Sequence, residues 1–302
     1  MSKSMWQGVI PAITTPFAED GAVDHAFLAR HALWQVEAGC TGVVPFGSLG
    51  EGATLSFAEK IAIVRTLVAA LGDRAPVIPG IAALATDEAV RLARACEAEG
   101  ARGLMVLPPY AYSTDWREMG AHVRAVVAAT GLPVLLYNNP LAYRTDFAPE
   151  QIVDLAAEFP QIEAVKESSG DLRRFAAIQA LAGDRLVLMT GIDDAIVEGI
   201  AMGATGWIAG QVNAYPAESV ALFERARAGG YAAAKDLYDW FLPILRLDTG
   251  PKFVQLIKLT QQCVGWGSER VRAPRLVLDG AERAAALQVI EHAIATRPGT
   301  AR

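Results

Sequence analysis

Short apolar runs without helical spacing alternate along the chain with longer, amphipathic, alanine-rich stretches. That alternation predicts parallel strands joined by helices. The strand candidates are residues 8–14, 42–46, 77–81, 103–107, 133–138, 163–166, 186–190 and 206–210. Helices are expected at 24–38, 57–71, 87–99, 116–130, 149–159, 171–181, 193–202 and 217–228; several open on Asp or Ser and several close on Gly, as helix caps require. Eight strand and helix units within about 230 residues is the ordinary size of a (β/α)8 TIM barrel. From Tyr231 onward the pattern turns wholly helical, over 231–246, 252–264 and 281–295, with breaks at Thr249-Gly250-Pro251 and at 265–274. The expected organisation is therefore a barrel over 1–230 and a helical subdomain over 231–302, its apolar content packing it on the barrel or on a neighbouring subunit.

The same alternation permits an open doubly wound sheet. A closed barrel is preferred because residues with chemical potential recur at the carboxyl ends of many strands, where a barrel brings them to one mouth. Thr14 and Thr15 follow the first strand, Gly47-Ser48-Leu49-Gly50-Glu51 the second, and Tyr110 and Tyr112 the fourth. Tyr137 ends the fifth, Lys166 the sixth, Gly191 the seventh and Gly210 the eighth.

Composition removes several classes of function. The 302 residues are 52% hydrophobic and 20% charged, enough for a full core, and the net charge of -6 with a pI near 5.3 offers no basic face to a nucleic acid. Cys40, Cys96 and Cys263 are scattered and odd in number, which fits reduced thiols in a cytoplasm better than a disulfide framework. The first residues lack a basic segment followed by an apolar one, and the apolar runs are too short to span a membrane. The expectation is a soluble, unexported protein. His25, His31, His122 and His292 show no paired metal-ligand spacing, and no phosphate loop or dinucleotide fingerprint occurs. Neither a metal nor another cofactor is expected.

The residue with the most chemistry is Lys166, at the end of the apolar run Ile162-Glu163-Ala164-Val165 and directly before Glu167-Ser168-Ser169-Gly170-Asp171. Desolvation at the mouth of a core disfavours an ammonium, and the free amine attacks carbonyl or imine carbons. The plain alternative is a lysine that closes a strand and pairs with a carboxylate. The glycine-rich turn around Ser48 and Leu49 is able to aim backbone N–H groups at one point, a small anion pocket with a hydroxyl and an apolar wall, or to serve as an ordinary strand-to-helix turn. Tyr137, on the strand next to Lys166, offers a phenol for proton transfer, or simply a packed ring. Glu167 should face away from Lys166 by strand alternation, and Ser168 and Ser169 should cap the next helix.

In order and spacing, Pro11-Ala12-Ile13-Thr14-Thr15-Pro16-Phe17, the Gly47–Glu51 turn, Tyr137-Asn138-Asn139-Pro140, Lys166-Glu167-Ser168-Ser169-Gly170-Asp171, Gly191-Ile192-Asp193-Asp194 and the stretch 203–213 resemble the dihydrodipicolinate synthase and N-acetylneuraminate lyase superfamily over nearly the whole chain. The resemblance implies a (β/α)8 barrel, a homotetramer, and Lys166 forming a Schiff base with a substrate that carries a carboxylate next to a carbonyl or imine. It further implies Tyr137 as proton shuttle, Ser48 as a catalytic hydroxyl beside Leu49 and Gly50 at the substrate carboxylate, and Ile208, Gly191 and Asn139 lining the site.

Departures from the pattern point away from the lysine-biosynthetic synthase. That enzyme usually has two threonines at Ser48 and Leu49, an arginine at Ala142, and a second tyrosine at Ala111, for which Tyr112 is the nearest substitute. The Ser-Leu-Gly-Glu turn, residues 137–143, and the tail from Lys252 to Leu276 look most like the branch that acts on 1-pyrroline-4-hydroxy-2-carboxylate. The implied reaction opens that ring at Lys166, loses the 4-hydroxyl as water, and yields 2,5-dioxopentanoate and ammonia, a step of hydroxyproline breakdown. The alternatives are a pyruvate-type aldolase or sugar-acid dehydratase on the same scaffold, and a barrel that binds a ligand without turning it over.

Overall fold

A computed structural model describes residues 3–110 and 115–299. Among them seven parallel strands form one sheet: β1 (Gly8–Pro11), β2 (Gly80–Ile81), β3 (Leu104–Val106), β4 (Val134–Asn138), β5 (Ile162–Glu167), β6 (Val187–Thr190) and β7 (Gly206–Ala209), in the order β1-β7-β6-β5-β4-β3-β2. The predicted strand at 42–46 is absent as a regular strand. Its place between the two sheet edges is nevertheless occupied, because Val44 bridges Ala12 and Val43 bridges Val77, both in parallel. The Val44 amide donates to the Pro11 carbonyl at 2.8 Å, and the Ile78 amide to Val43 at 2.9 Å. Pro45, Pro76 and Pro79 have no N–H to lend a ladder, which reduces this stave to bridges while the ring of eight closes.

Side-chain parity follows the pleat. Ile10, Val44, Ile78, Met105, Leu135, Ala164, Met189 and Ile208 point inward and fill the barrel, closed at its base by Trp6, whose indole N–H donates to Glu163 at 2.9 Å. Leu104, Val106, Leu136, Val165 and Leu188 point outward onto the helices. Those helices are α1 (His25–Glu37), α2 (Phe57–Leu71), α3 (Thr86–Ala98), α4 (Trp116–Val127), α5 (Pro140–Tyr143), α6 (Pro149–Glu158), α7 (Arg173–Ala182) and α8 (Ile196–Ala201), followed by α9 (Pro216–Leu245), α10 (Phe253–Cys263) and α11 (Gly280–Ala295). Asp24 and Asp115 cap α1 and α4, and Ser56 with Glu59 forms a capping box on α2.

One helix, α9, crosses the expected 230/231 boundary and bends at Gly229 and Gly230, the latter at φ 65°. Beyond the bend, Leu237, Phe241, Ile244 and, on α11, Ile290 share one apolar cluster with Val9, Trp207 and Ala209 on the outer faces of β1 and β7. α10 returns to the barrel mouth, where Gln261 accepts a hydrogen bond from the Thr14 hydroxyl at 2.9 Å. No helix among the described residues is long and apolar enough to cross a membrane.

Candidate active site

Strand register brings the two central residues together, since Tyr137 of β4 pairs with Lys166 of β5. Both follow the inward parity of Leu135 and Ala164, so both rise into the carboxyl-end mouth. The Lys166 ammonium lies 4.1 Å from the Tyr137 ring centroid, and the residue is 6% exposed. Asn138 and Glu167, one position on, face outward and bond each other (3.1 Å); Glu167 also accepts from the Ser169 amide at 2.7 Å. On the neighbouring strand end, Gly191 leaves room for the lysine chain: a Cβ there would stand 2.5 Å from Lys166 Cε and 2.8 Å from its Cγ.

The mouth is a cavity of about 470 Å³ whose lining includes Ser48, Leu49, Tyr137, Asn139, Lys166, Gly191 and Ile208. Of the expected site residues, Gly50 alone is outside this lining. Its carbonyl takes the Thr15 hydroxyl at 2.6 Å, so it braces the turn from behind. Non-glycine residues in the left-handed region bracket the turn, Phe46 at φ 40° and Glu51 at φ 53°. Such strain persists only where the surroundings over-determine it. Here the Gly52 amide returns to the Gly47 carbonyl, and the Glu51 carboxylate is clamped by Lys258 Nζ at 2.6 Å and the Arg272 amide at 3.1 Å.

Tyr143 carries a role that its sequence position did not signal. Asn139 caps α5 by accepting from the Ala142 amide at 3.0 Å, Pro140 starts the helix, and this single turn swings Tyr143 back over the cavity. Its hydroxyl hydrogen-bonds Ser48 Oγ, and its ring meets Tyr137 edge-on with centroids 6.2 Å apart. Burial, with Tyr137 beside it, pushes the Tyr143 phenol above its ordinary range, so it is a proton-bearing group at neutral pH. Asn139 Nδ2 donates to the Tyr137 hydroxyl at 2.8 Å, so this amide, expected to touch substrate, uses both its polar atoms on the protein. Ala142 lines the mouth, whereas Arg144 is exposed and outside the lining. Ala111 and Tyr112 lie outside the described residues.

Ser168 and Ser169, expected to cap the next helix, are placed otherwise. The Ser168 hydroxyl is buried in the lining without a bonded partner, and Ser169 accepts from the Asp171 amide; neither caps α7, which begins at Arg173 beyond Gly170 at φ 82°. Asp193 is fully buried and accepts from Trp207 Nε1 (3.0 Å), the Gly210 amide (3.0 Å) and the Gln211 amide (2.7 Å). Asp248 lies on the cavity wall, close enough to Asp193 for the two carboxyls to interact. Burial raises both carboxyls, and Asp248 further because it faces the charge that three N–H donors hold on Asp193. The positive charge of Lys166 pulls both carboxyls the other way. The lining also contains Arg275. Asp248 and Arg275 fall between the predicted helices, where no periodicity marks them, and Arg275 figured in the sequence only as part of the tail that resembles the 1-pyrroline-4-hydroxy-2-carboxylate branch. Among the described residues no group of three or more His, Cys, Asp or Glu is placed to hold a metal ion.

The sequence pattern of the Dihydrodipicolinate synthetase family matches residues 5–293. The chain is 33% identical over 290 residues to the 4-hydroxy-tetrahydrodipicolinate synthase of Agrobacterium fabrum, covering 96% of this chain and 99% of that one. It is 33% identical over 278 residues to the enzyme of the same name from Salinibacter ruber, covering 91% of each. Its fold matches the crystal structure of the chloride-inhibited dihydrodipicolinate synthase from Acinetobacter baumannii complexed with pyruvate with a TM-score of 0.90 at 27% identity, over 95% of this chain and 99% of that chain.

Proposed function

Because this chain belongs to the dihydrodipicolinate synthetase family, whose members are class I aldolase-superfamily lyases, we propose that Lys166 forms a Schiff base with a 2-oxo acid of the pyruvate type and uses the derived enamine for aldol or dehydration chemistry. One observation carries the reading: the Lys166 amine is buried in the cavity against the Tyr137 ring, with tyrosyl and seryl hydroxyls around it. The substrate carboxylate sits at the Ser48 and Leu49 turn. Lys166 attacks C2, and the carbinolamine loses water as Tyr137 donates a proton to the departing hydroxyl. Tyr137 is suited to this because its oxygen already accepts from Asn139, leaving its own hydrogen to point elsewhere. The Ser48–Tyr143 pair carries protons onward, and Ile208 forms the apolar wall.

Borohydride treatment in the presence of pyruvate tests the proposal. A reduced adduct should form and map to residue 166, and Lys166→Ala should abolish it while the fold persists. An adduct that never forms, or one at another lysine, refutes the Schiff base. Assembly as a homotetramer in the cytoplasm belongs to the same reading, and light scattering of the purified protein checks the assembly.

A second reading is favoured by Leu49 beside Ser48 and by Ala142 at the mouth. In it Lys166 opens 1-pyrroline-4-hydroxy-2-carboxylate at C2, the enamine expels the 4-hydroxyl as water, and hydrolysis at the freed amine carbon releases ammonia and 2,5-dioxopentanoate. One water is lost and two are taken up. Ammonia release from that imine decides between the two readings.

A further inference from the structure

We propose that Arg275 is a specificity-determining residue, binding a second carboxylate at the far end of a 2-oxo acid held on Lys166; the proposal rests on the Schiff-base reading of the same cavity. The argument begins with its neighbour. Arg272 plants the C-terminal segment on the barrel: its guanidinium donates to Glu59 at 2.8 Å, to the Gly21 carbonyl at 2.6 Å and to the Thr54 carbonyl at 3.0 Å, and it stacks 4.5 Å over the Phe17 ring. A turn follows, with the Arg275 amide donating to the Arg272 carbonyl at 3.2 Å. That turn delivers the Arg275 side chain into the cavity lining.

Arg275 is not needed to neutralise Glu51. That carboxylate is already bonded by Lys258 and by the Arg272 amide, whereas Arg275 Nη1 stands 3.8 Å away, beyond hydrogen-bond length. It lines the same cavity as the glycine-rich turn, Tyr137 and Tyr143, its side chain 28% exposed. Lys166 and Arg275 are the cationic side chains in the lining among the described residues. Lys166 is committed to C2, so a second anion on the substrate has one partner. Guanidinium and carboxylate match as planar, two-bond partners, and a lysine in the same place lacks that geometry.

Calorimetric titration of the wild type, Arg275→Gln and Arg275→Lys with glutarate and with butyrate isolates the contact, because neither acid carries a carbonyl for Lys166 to attack. The wild type should bind glutarate at least about tenfold more tightly than butyrate, a ratio typical of one charge-assisted bond. Arg275→Gln should bind the two alike, and Arg275→Lys should recover part of the preference. Equal binding by the wild type, or a glutarate preference that survives in Arg275→Gln, overturns the proposal. Borohydride trapping of pyruvate on the wild type reads the Lys166 chemistry by itself: absence of an adduct there counts against the Schiff base and leaves the glutarate comparison to judge Arg275.

Discussion

Replacing Gly191 with alanine adds one methyl group beside the reactive amine. That methyl would stand 2.5 Å from Lys166 Cε and 2.8 Å from Cγ, where carbon atoms in ordinary contact keep about 3.5–4.0 Å. The lysine chain must then retreat by about 1 Å, since the methyl is fixed to a backbone whose amide donates to the Glu167 carbonyl at 3.0 Å. Ser168 Oγ also lies in its path, but that hydroxyl has no bonded partner and is able to turn aside. A misplacement of this size at a nucleophile costs on the order of 100-fold in rate. Gly191→Ala should therefore trap pyruvate with borohydride on the order of 100 times more slowly than the wild type. Overpacking should cost only about 1–3 kcal/mol of stability, since two side chains move and the sheet does not. The assay is the time course of adduct formation by intact-protein mass spectrometry, beside a urea melt of each protein. Trapping at the wild-type rate in a folded Gly191→Ala protein would show that the position of Lys166 in the cavity does not govern its reactivity, and the site assignment would fall with it.

Tyr143→Phe removes the bond to Ser48 without removing the ring, so turnover should fall by about 100-fold while the pyruvate adduct still forms, as expected for a lost proton-transfer group. Lys258→Met leaves Glu51 buried at its strained backbone position without its principal partner and should cost about 3–5 kcal/mol in urea unfolding; Glu51→Gln together with Lys258→Met should recover part of that loss. His31, buried among Phe27, Trp34 and Trp266, is lowered by burial from 6.5 to about 4, against the pull of its bond to the Asn213 carbonyl. Because the folded protein holds this imidazole neutral, its contribution is complete above pH 6.5 and is lost as the pH falls toward 4, reaching about 3 kcal/mol; unfolding free energies of wild type and His31→Gln across that range should converge, and parallel curves would refute the assignment.

The periodicity of the chain determined the barrel, because parallel strands buried on both faces must be apolar and their crossover helices amphipathic. Those two patterns are local properties of sequence. It also placed Lys166 beside Tyr137, since strand ends in a barrel converge on one mouth whatever the loops do. Helix ends marked by side-chain caps, as at Ser56 and Asp115, were legible for the same local reason. The stave at 42–46 came out as bridges because pairing depends on N–H groups that its own and its neighbour's prolines lack. Tyr143, Asp248 and Arg275 reach the cavity by tertiary routes: a one-turn helix folded back by Asn139, a loop seated against Gly210, and a tail anchored by Arg272. Contacts such as Tyr143 with Ser48, 95 positions apart, and Arg272 with Glu59, 213 apart, leave no period for a sequence to display. Whether a polar side chain there turns toward the cavity or toward solvent is decided only when the packed elements close around it.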